Sequence, residues 1–324
     1  MELLLRFKWI LFPVVFLLVF CISLFYGIPK RDLSQIAQNL VSHTAFMLPP
    51  SKNVAPVIKV GDVSTWRISG FSLNNLNITW PALDIIPENN LKIDLLKARI
   101  GLFSYILGTK NLSMQTKMYD GYLDASLGLD KNNHLKYVNL DSKNINLSKI
   151  LFIPNTYGLS IGGLLQIEAD IENSKKIEDL SGNIKLSIKN TSLKLNNLSA
   201  FLGAVGGAVD LPLLSLGDLV AEIDLAKKEA VSKVFKISNG DLEAEVNLTI
   251  SLDEKIMNSD INAKGWFSLK ESVIEGNETL KTLYSILPQL KSSKLNNNKV
   301  GFKISGTLKY PDFNLEIYTA LNKK

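Results

Sequence analysis

Apolar and polar residues alternate strictly over long stretches of this 324-residue chain. The clearest stretch, LEAEVNLTISL at 242–252, places Leu242, Val246, Leu248 and Ile250 on one side and polar residues on the other. Successive side chains of a β-strand point to opposite faces, so the pattern predicts a strand with one dry and one wet face. Burying its large apolar side chains is worth on the order of 10 kcal/mol, and we therefore expect the dry face to be covered.

The same period of two recurs from Val57 onward, in segments 184–188, 219–225, 261–269 and 302–310. In the last segment, Phe302, Ile304 and Leu308 occupy the predicted dry side. Near the other end, ISGFSLNNLNITWP changes phase at Asn74-Asn75, and the I-S-G phrase returns at 304–306. We expect the repeated phrase to begin similar strands at the two ends of one β-structure.

Two short signals predict hairpins, because Asn-Gly and Asp-Gly favour the tight turns that join antiparallel strands. They are Asn239-Gly240 and Asp120-Gly121, each between alternating segments. A related echo, GDLVAEIDL at 217–225 and GDLEAEVNL at 240–248, indicates two similar strands that start from similar turns.

Helical signals are few. The segment 101–109 is a short apolar link, and the glycine-rich segment 198–217 is expected to pack on the sheet. In NETLKTLYSILPQLKSS, Asn277 is a helix cap, and Leu280, Leu283, Tyr284 and Leu287 form one apolar stripe that Pro288 interrupts.

The predicted fold class is therefore mainly β: an N-terminal transmembrane helix followed by a large, mostly antiparallel curved β-sheet or sandwich with a few short covering helices. In a sandwich or barrel the dry face would be closed upon itself. In a curved open sheet it would line a groove.

Trp9 to Ile28 carries no charge and, at ~1.5 Å per residue, is long enough to cross a bilayer. No small-x-small cleavage site precedes Lys30, and Phe20 is too bulky for a lipoprotein signal before Cys21, so we expect an uncleaved anchor. The expected organisation is a membrane anchor at 1–30, a juxtamembrane amphipathic helix and linker at 31–53, and a β-rich domain at 54–324.

The composition excludes several kinds of function. The single cysteine rules out a disulfide framework, and the net charge of +5 is spread along the chain without the basic, aromatic stripe of a nucleic-acid-binding protein. G-x-S-x-G at 158–162 resembles a nucleophile elbow, but both histidines, His43 and His134, precede Ser160, whereas the elbow's histidine follows its serine. We predict no enzyme activity, no catalytic or metal-binding residues and no cofactor.

Three phrases carry a resemblance to a known family: SGFSLNNLNITWP, the segment LKIDLLKARIGLFSYILGTKNLSMQTKMYDGYLDASL, and FKISGTLKYPDFNLEI. They resemble the type II secretion system protein N family in its long form, which is distantly similar to the AsmA-like proteins of the bacterial envelope. The resemblance implies a single-pass inner-membrane protein with its bulk in the periplasm, and it brings no catalytic residues.

Two functions follow as expectations. One is an accessory component of the type II secretion system that binds other secretion-system or envelope proteins. The other is an AsmA-like lipid-binding or lipid-transfer groove. Partners would be the lipid bilayer, envelope proteins and lipids, with no nucleic acid; bound acyl chains in an apolar groove would favour the second function.

Overall fold

The computed structural model describes residues 56–67, 69–82, 88–150, 159–172, 177–195, 213–293 and 296–318. Within these residues the chain forms one antiparallel sheet of fifteen strands, in which most strands pair with their neighbours in sequence. The predicted mainly β, antiparallel character is confirmed. The sheet is open: β1 and β2 both pair with β3 at one edge, and β15 pairs with β14 at the other. A single open sheet replaces the sandwich alternative.

The strands are β1 (Val57–Lys59), β2 (Val63–Trp66), β3 (Gly70–Trp80), β4 (Asn89–Ile100), β5 (Lys110–Met118), β6 (Gly121–Leu129), β7 (Leu135–Asn146), β8 (Leu159–Glu172), β9 (Ser181–Leu195), β10 (Leu214–Ala226), β11 (Glu229–Asn239), β12 (Leu242–Ser251), β13 (Asp260–Leu269), β14 (Lys299–Gly306) and β15 (Pro311–Glu316). The helices are α1 (Leu102–Ile106), α2 (Glu271–Glu275), α3 (Glu278–Ile286) and α4 (Pro288–Ser293), and short 3₁₀ turns lie at Leu147–Lys149, Ile177–Asp179 and Ile256–Asn258.

The change of phase at Asn74-Asn75 is present in β3. Asn75 has a positive φ of 54°, which asparagine tolerates better than most residues. Leu73 before it and Leu76 and Ile78 after it are all buried, so the irregularity keeps apolar side chains inside on both sides of the break.

Both predicted hairpins are confirmed, with a shift in one turn. Met118 pairs with Gly121, so the two-residue loop consists of Tyr119 and Asp120, whose φ angles of 50° and 66° match a type I′ turn. Gly240 follows β11 and meets the other glycine of the repeated G-D-L phrase: a Cβ on it would lie 2.5 Å from the backbone nitrogen of Gly217. Close backbone approach therefore explains why both phrases begin with glycine.

The two I-S-G phrases do not play the same role, so the expectation that both begin strands was wrong. Gly70 opens β3, whereas Ile304 and Gly306 end β14. The three-residue phrase alone does not determine whether it begins or ends a strand, because a glycine with a close backbone neighbour can occur at either end of a strand.

Helices α2–α4 cover one part of the sheet. The side chain of Asn277 accepts a hydrogen bond from the Leu280 amide at 3.0 Å, and α3 ends at Ile286 before Pro288, as predicted. Tyr284, Leu280 and Leu290 pack with Val300 of β14 and with strands β10 and β13. A second buried cluster, made by Leu76, Ile78 and Trp80, lies near the opposite edge of the sheet, among β1, β3 and β4.

Several expectations fall outside the described residues. These are the anchor with its limits Trp9 and Ile28, the helix at 31–53, and most of segment 198–217, of which Leu214 to Gly217 belong to β10 and not to a packed helix. No helix formed by the described residues is long and apolar enough to cross a membrane.

Candidate functional site: an apolar cleft on the dry face

The register of the sheet aligns apolar side chains from strand to strand into continuous rows. One row crosses eight strands, β3 to β10, as Phe71, Ala98, Met114, Ala125, Leu140, Ala169, Ile184 and Ile223. A second row crosses ten strands, β4 to β13, as Ile100, Leu112, Leu127, Val138, Ile171, Gly182, Leu225, Ala230, Ile250 and Ile261. We call the face with these rows the dry face.

The dry face is not uniformly covered. Its buried residues lie under α2–α4 and, at the other edge, at Val63 and Leu73 beside Phe71, while the row residues between them on β5 to β9 are mostly half-buried. Leu112 is 38% exposed and Ile100 42% exposed. Among the described residues, then, the middle of the dry face forms an apolar surface open to solvent.

A cleft of about 490 Å³ lies on this open part and has almost exclusively apolar walls. We call it the apolar cleft; side chains that line it from the dry face are Phe71, Ala98, Ile100, Leu112, Met114, Ala125, Leu127 and Val138. Its volume lies within the range of small-molecule sites, roughly 300–1,000 Å³. The rim of the cleft includes Ser69, whose hydroxyl donates to the carbonyl oxygen of Ile100.

Except for Leu308, the residues proposed from the sequence for the dry side lie on the same face but away from the cleft. Val246 is opposite Gly265 and thereby next to Phe302; Leu248 is aligned with Ala263 and Ile304; Ile250 belongs to the second row. Leu242 packs at the margin of the helix-covered cluster. Leu308 lies beyond β14 in the turn before β15, where its amide donates to the Ser259 carbonyl at 3.0 Å.

The neighbourhood of Phe302 is closed rather than open. Phe302 stacks on Phe313 with ring centroids 5.7 Å apart, and a Cβ on Gly265 would lie only 2.7 Å from its ring. Glycine at 265 is therefore what allows this ring to lie over β13. The expectation that the dry face is covered fits this end of the sheet, and the open groove fits the middle.

The opposite, wet face carries a polar row in the same strands: Arg99, Ser113, Ser126, Asn139, Asp170, Asn183 and Asp224. A polar cleft of about 470 Å³ lies on this face, between Trp66 and Arg99 on one side and carboxylates such as Asp124 and Glu168 on the other. Three cations surround the Trp66 ring: Arg67 at 5.3 Å, and Lys97 and Arg99 at 5.8 Å. The contrast between the two faces is therefore sharp along the whole middle of the sheet.

Ion pairs on the wet face hold adjacent strands together. Lys233 approaches Asp224 to 2.8 Å, and Asn183 donates to the same carboxylate at 2.9 Å. These hydrogen bonds, that of Lys233 first, lower the pKa of Asp224. The groups are exposed, so their role is to fix side chains on a solvated surface.

The described residues show no arrangement for nucleophilic or metal chemistry. Ser160 lies within β8, opposite Lys194, and not in a strand-turn-helix elbow. His134 lies in a turn beside Asp130 at 3.2 Å, and that carboxylate accepts backbone hydrogen bonds from the same turn. No group of three or more possible metal ligands occurs in the described part of the chain.

Sequence reasoning missed the residues that make the cleft. Met114, Ala125 and Leu127 belong to segments that alternate as regularly as the others, so polarity alone did not distinguish an open from a covered position. The sequence feature that could have indicated the position of the cleft was the apolar link at 101–109, which adjoins the cleft and forms α1.

Comparison of the chain with protein-family models, with curated proteins and with solved structures finds no match.

Proposed function

We propose that this chain binds lipid acyl chains in the apolar cleft, as a membrane-anchored protein whose β-rich part lies in the bacterial periplasm. The observation that carries the proposal is the combination of two unbroken apolar rows with an open cleft of about 490 Å³. A contiguous exposed apolar surface of this kind is typical of a binding site. The anchor and the periplasmic location rest on the sequence and on the family resemblance.

An acyl chain fits this surface better than a compact ligand. The rows run across the strands, so the apolar path extends from strand to strand in steps of about 4.8 Å. The side chains along it are aliphatic or Met apart from Phe71, and polar side chains of the same strands project from the other face. A long, flexible and wholly apolar ligand satisfies such a path without leaving buried polar groups unpaired.

Binding would be non-catalytic. The walls of the cleft supply no acid, base or nucleophile directed into it; Arg99, Ser113 and Ser126 contribute from strand positions that alternate with the dry-face residues. The accessory role in type II secretion remains a prediction from the family resemblance, with no observation on this molecule that favours it over lipid binding.

Neighbouring residues of β6 provide a matched test. Leu127 belongs to the dry face and Ser126 to the wet face, one residue apart. A photoreactive p-benzoylphenylalanine at each position in the full chain, irradiated in bacterial membranes, should give phospholipid adducts at position 127 and none at 126. Mass spectrometry of the purified protein detects them.

Equal lipid labelling at both positions, or labelling at neither while both probes still form adducts with protein, would refute acyl-chain binding. In that case, protein adducts at position 126 would favour protein binding by the wet face and hence the accessory role.

A further inference from the structure

Helix α1 and the residue after it, Leu107, form an exposed apolar projection at one end of strands β4 and β5. Phe103, Ile106 and Leu107 are 83%, 78% and 73% exposed, Tyr105 is 59% exposed, and no residue of the helix is buried. Apolar side chains scattered singly over a surface are ordinary, but a contiguous exposed apolar patch marks an interaction site.

The projection is held in shape by its own hydrogen bonds. The amide of Thr109 donates to the Ser104 carbonyl at 2.8 Å, and the amide of Gly101 donates to the Asn111 carbonyl at 2.8 Å. The Asn111 side chain also donates to the Ser104 hydroxyl at 2.9 Å. The apolar side chains are thus presented outward by a closed loop whose polar groups are satisfied internally.

The charges around α1 match an anionic surface. Lys97 and Arg99 lie near the end of β4 that leads into α1, and Lys110 follows the loop. Lys131 of the neighbouring β6–β7 turn lies 3.3 Å from the position of a Cβ on Gly108, and the carboxylate of Asp130 in that turn accepts hydrogen bonds from backbone amides of the turn itself. Aromatic side chains that expose a polar tip, such as Tyr105, are favoured where lipid headgroups meet acyl chains. Basic residues beside exposed apolar ones are attracted to anionic lipid and held there by the apolar contact.

The apolar surface of α1 continues into the apolar cleft. Ile100 and Leu112 precede and follow the α1 loop, pair with each other across β4 and β5, and both line the cleft. A surface on which α1 rests would therefore adjoin the mouth of the cleft.

We propose that α1 inserts Phe103, Ile106 and Leu107 into the interface of an anionic bilayer and thereby brings the apolar cleft against lipid. The docking half of this proposal stands on α1 alone; the delivery of an acyl chain to the cleft rests on the proposed function. The geometry places α1 far from the first strand: Val57 is opposite Thr79, which pairs with Asn90, whereas Ile100 lies ten residues further along β4, about 33 Å away.

The test is a fluorescent reporter on the full chain. Cys21 is the only cysteine, so a Cys21→Ser background with Leu107→Cys accepts one environment-sensitive dye. The labelled protein is placed in nanodiscs of phosphatidylglycerol mixed with phosphatidylcholine, and lipids with a spin label on the acyl chain serve as quenchers, either in the disc or in added vesicles. We expect a blue-shifted emission and strong quenching in one of these arrangements, which also tells which membrane α1 contacts.

The matched control is a dye at Lys227, in the exposed β10–β11 turn at the same end of the strands but several strands away from α1, which should be quenched little. Phe103→Asp with Ile106→Asp should abolish quenching at position 107. The same two charges at Asn247 and Asn262, which are exposed on the wet face of β12 and β13, should leave it unchanged. Added salt or replacement of phosphatidylglycerol by phosphatidylcholine should weaken quenching, because the attraction is partly electrostatic.

Three results would overturn the proposal. Equal quenching at positions 107 and 227 would show no specific insertion. A blue-shifted emission without lipid that grows with protein concentration would identify a second copy of the chain as the occupant of α1. A lipid-independent shift that does not depend on concentration would identify a segment of the same chain.

Failure of the proposed function is recognised separately. Lipid adducts at Leu127 without quenching at position 107 would leave acyl-chain binding intact and remove docking by α1. Quenching at position 107 without adducts at Leu127 would leave docking intact and remove lipid binding in the cleft.

Discussion

Two leucines of the sheet should differ strongly in their contribution to stability, although replacing either one by alanine removes the same atoms. Leu76 is 1% exposed in the cluster with Ile78 and Trp80, and Leu112 is 38% exposed at the apolar cleft. Replacing a fully buried leucine by alanine costs about 2–5 kcal/mol, because a cavity adds to the lost transfer free energy. We expect that cost for Leu76→Ala.

Leu112→Ala should cost far less. Fully burying a leucine is worth ~1.5–3 kcal/mol, and Leu112 is only partly removed from water, so the loss is on the order of 1 kcal/mol. No closed cavity forms, because the cleft already opens to solvent. The free energy of unfolding of the full chain in lipid-free amphipol, measured by urea titration followed by circular dichroism, gives both values, provided that the slopes of the two transitions agree.

Bound lipid should change the cost of only one of these two leucine substitutions. A ligand bound to the folded state adds to its stability in proportion to the logarithm of its concentration over the dissociation constant. Lipid in the cleft should therefore raise the cost of Leu112→Ala and leave that of Leu76→Ala unchanged. Equal costs for the two variants without lipid would show that Leu112 is covered, and the argument for an open cleft would fail.

Two further predictions concern the helices that cover the other end of the sheet. Asn277→Ala removes the hydrogen bond from the Leu280 amide and should lower the free energy of unfolding by ~0.5–2 kcal/mol, whereas Asn277→Asp should retain this hydrogen bond. Urea titration compares the two variants with the unchanged protein. An equal loss of stability in both variants would argue against capping. The hydroxyl of Tyr284 is buried without a hydrogen-bond partner among the described residues, and burial raises its pKa to about 12. Because the folded state then resists ionisation, stability should be intact below about pH 10 and fall as the pH rises from there toward 12. Tyr284→Phe should be neutral or stabilising at pH 7 and should lessen the alkaline loss; an unchanged alkaline profile would contradict this account.

The sequence was informative wherever local chemistry decides the structure. The period of two located most strands, the phase change at Asn75 was visible as a break in the alternation, and Asn277 was identified as a cap because its side chain serves the adjacent backbone. Each of these features depends on residues close together in the chain.

Features that depend on the rest of the molecule were not accessible in this way. The turn between β10 and β11 consists of Lys227 and Lys228, both with positive φ, although neither residue carries a turn signal; strand pairing on both sides imposes the conformation. Whether a dry-face residue is covered depends on helices from elsewhere in the chain. The alternation is equally regular around Val246, which was predicted to lie on the dry side, and around Leu127, which was not, and only the placement of α2–α4 and of the cleft separates them.

The edges of the sheet support the view that its open face is the interacting surface. An exposed edge strand can recruit another strand through its unpaired backbone groups, and proteins prevent this with proline, charges and short strands. Strand β15 has only six residues and begins with Pro311 followed by Asp312, and β1 has only three residues. Growth by strand addition is thus disfavoured at both edges, while the apolar rows between them continue across β5 to β9 without a covering element among the described residues. A chain that protects its edges but leaves an apolar face open has the arrangement expected when the ligand approaches the face and not the edge.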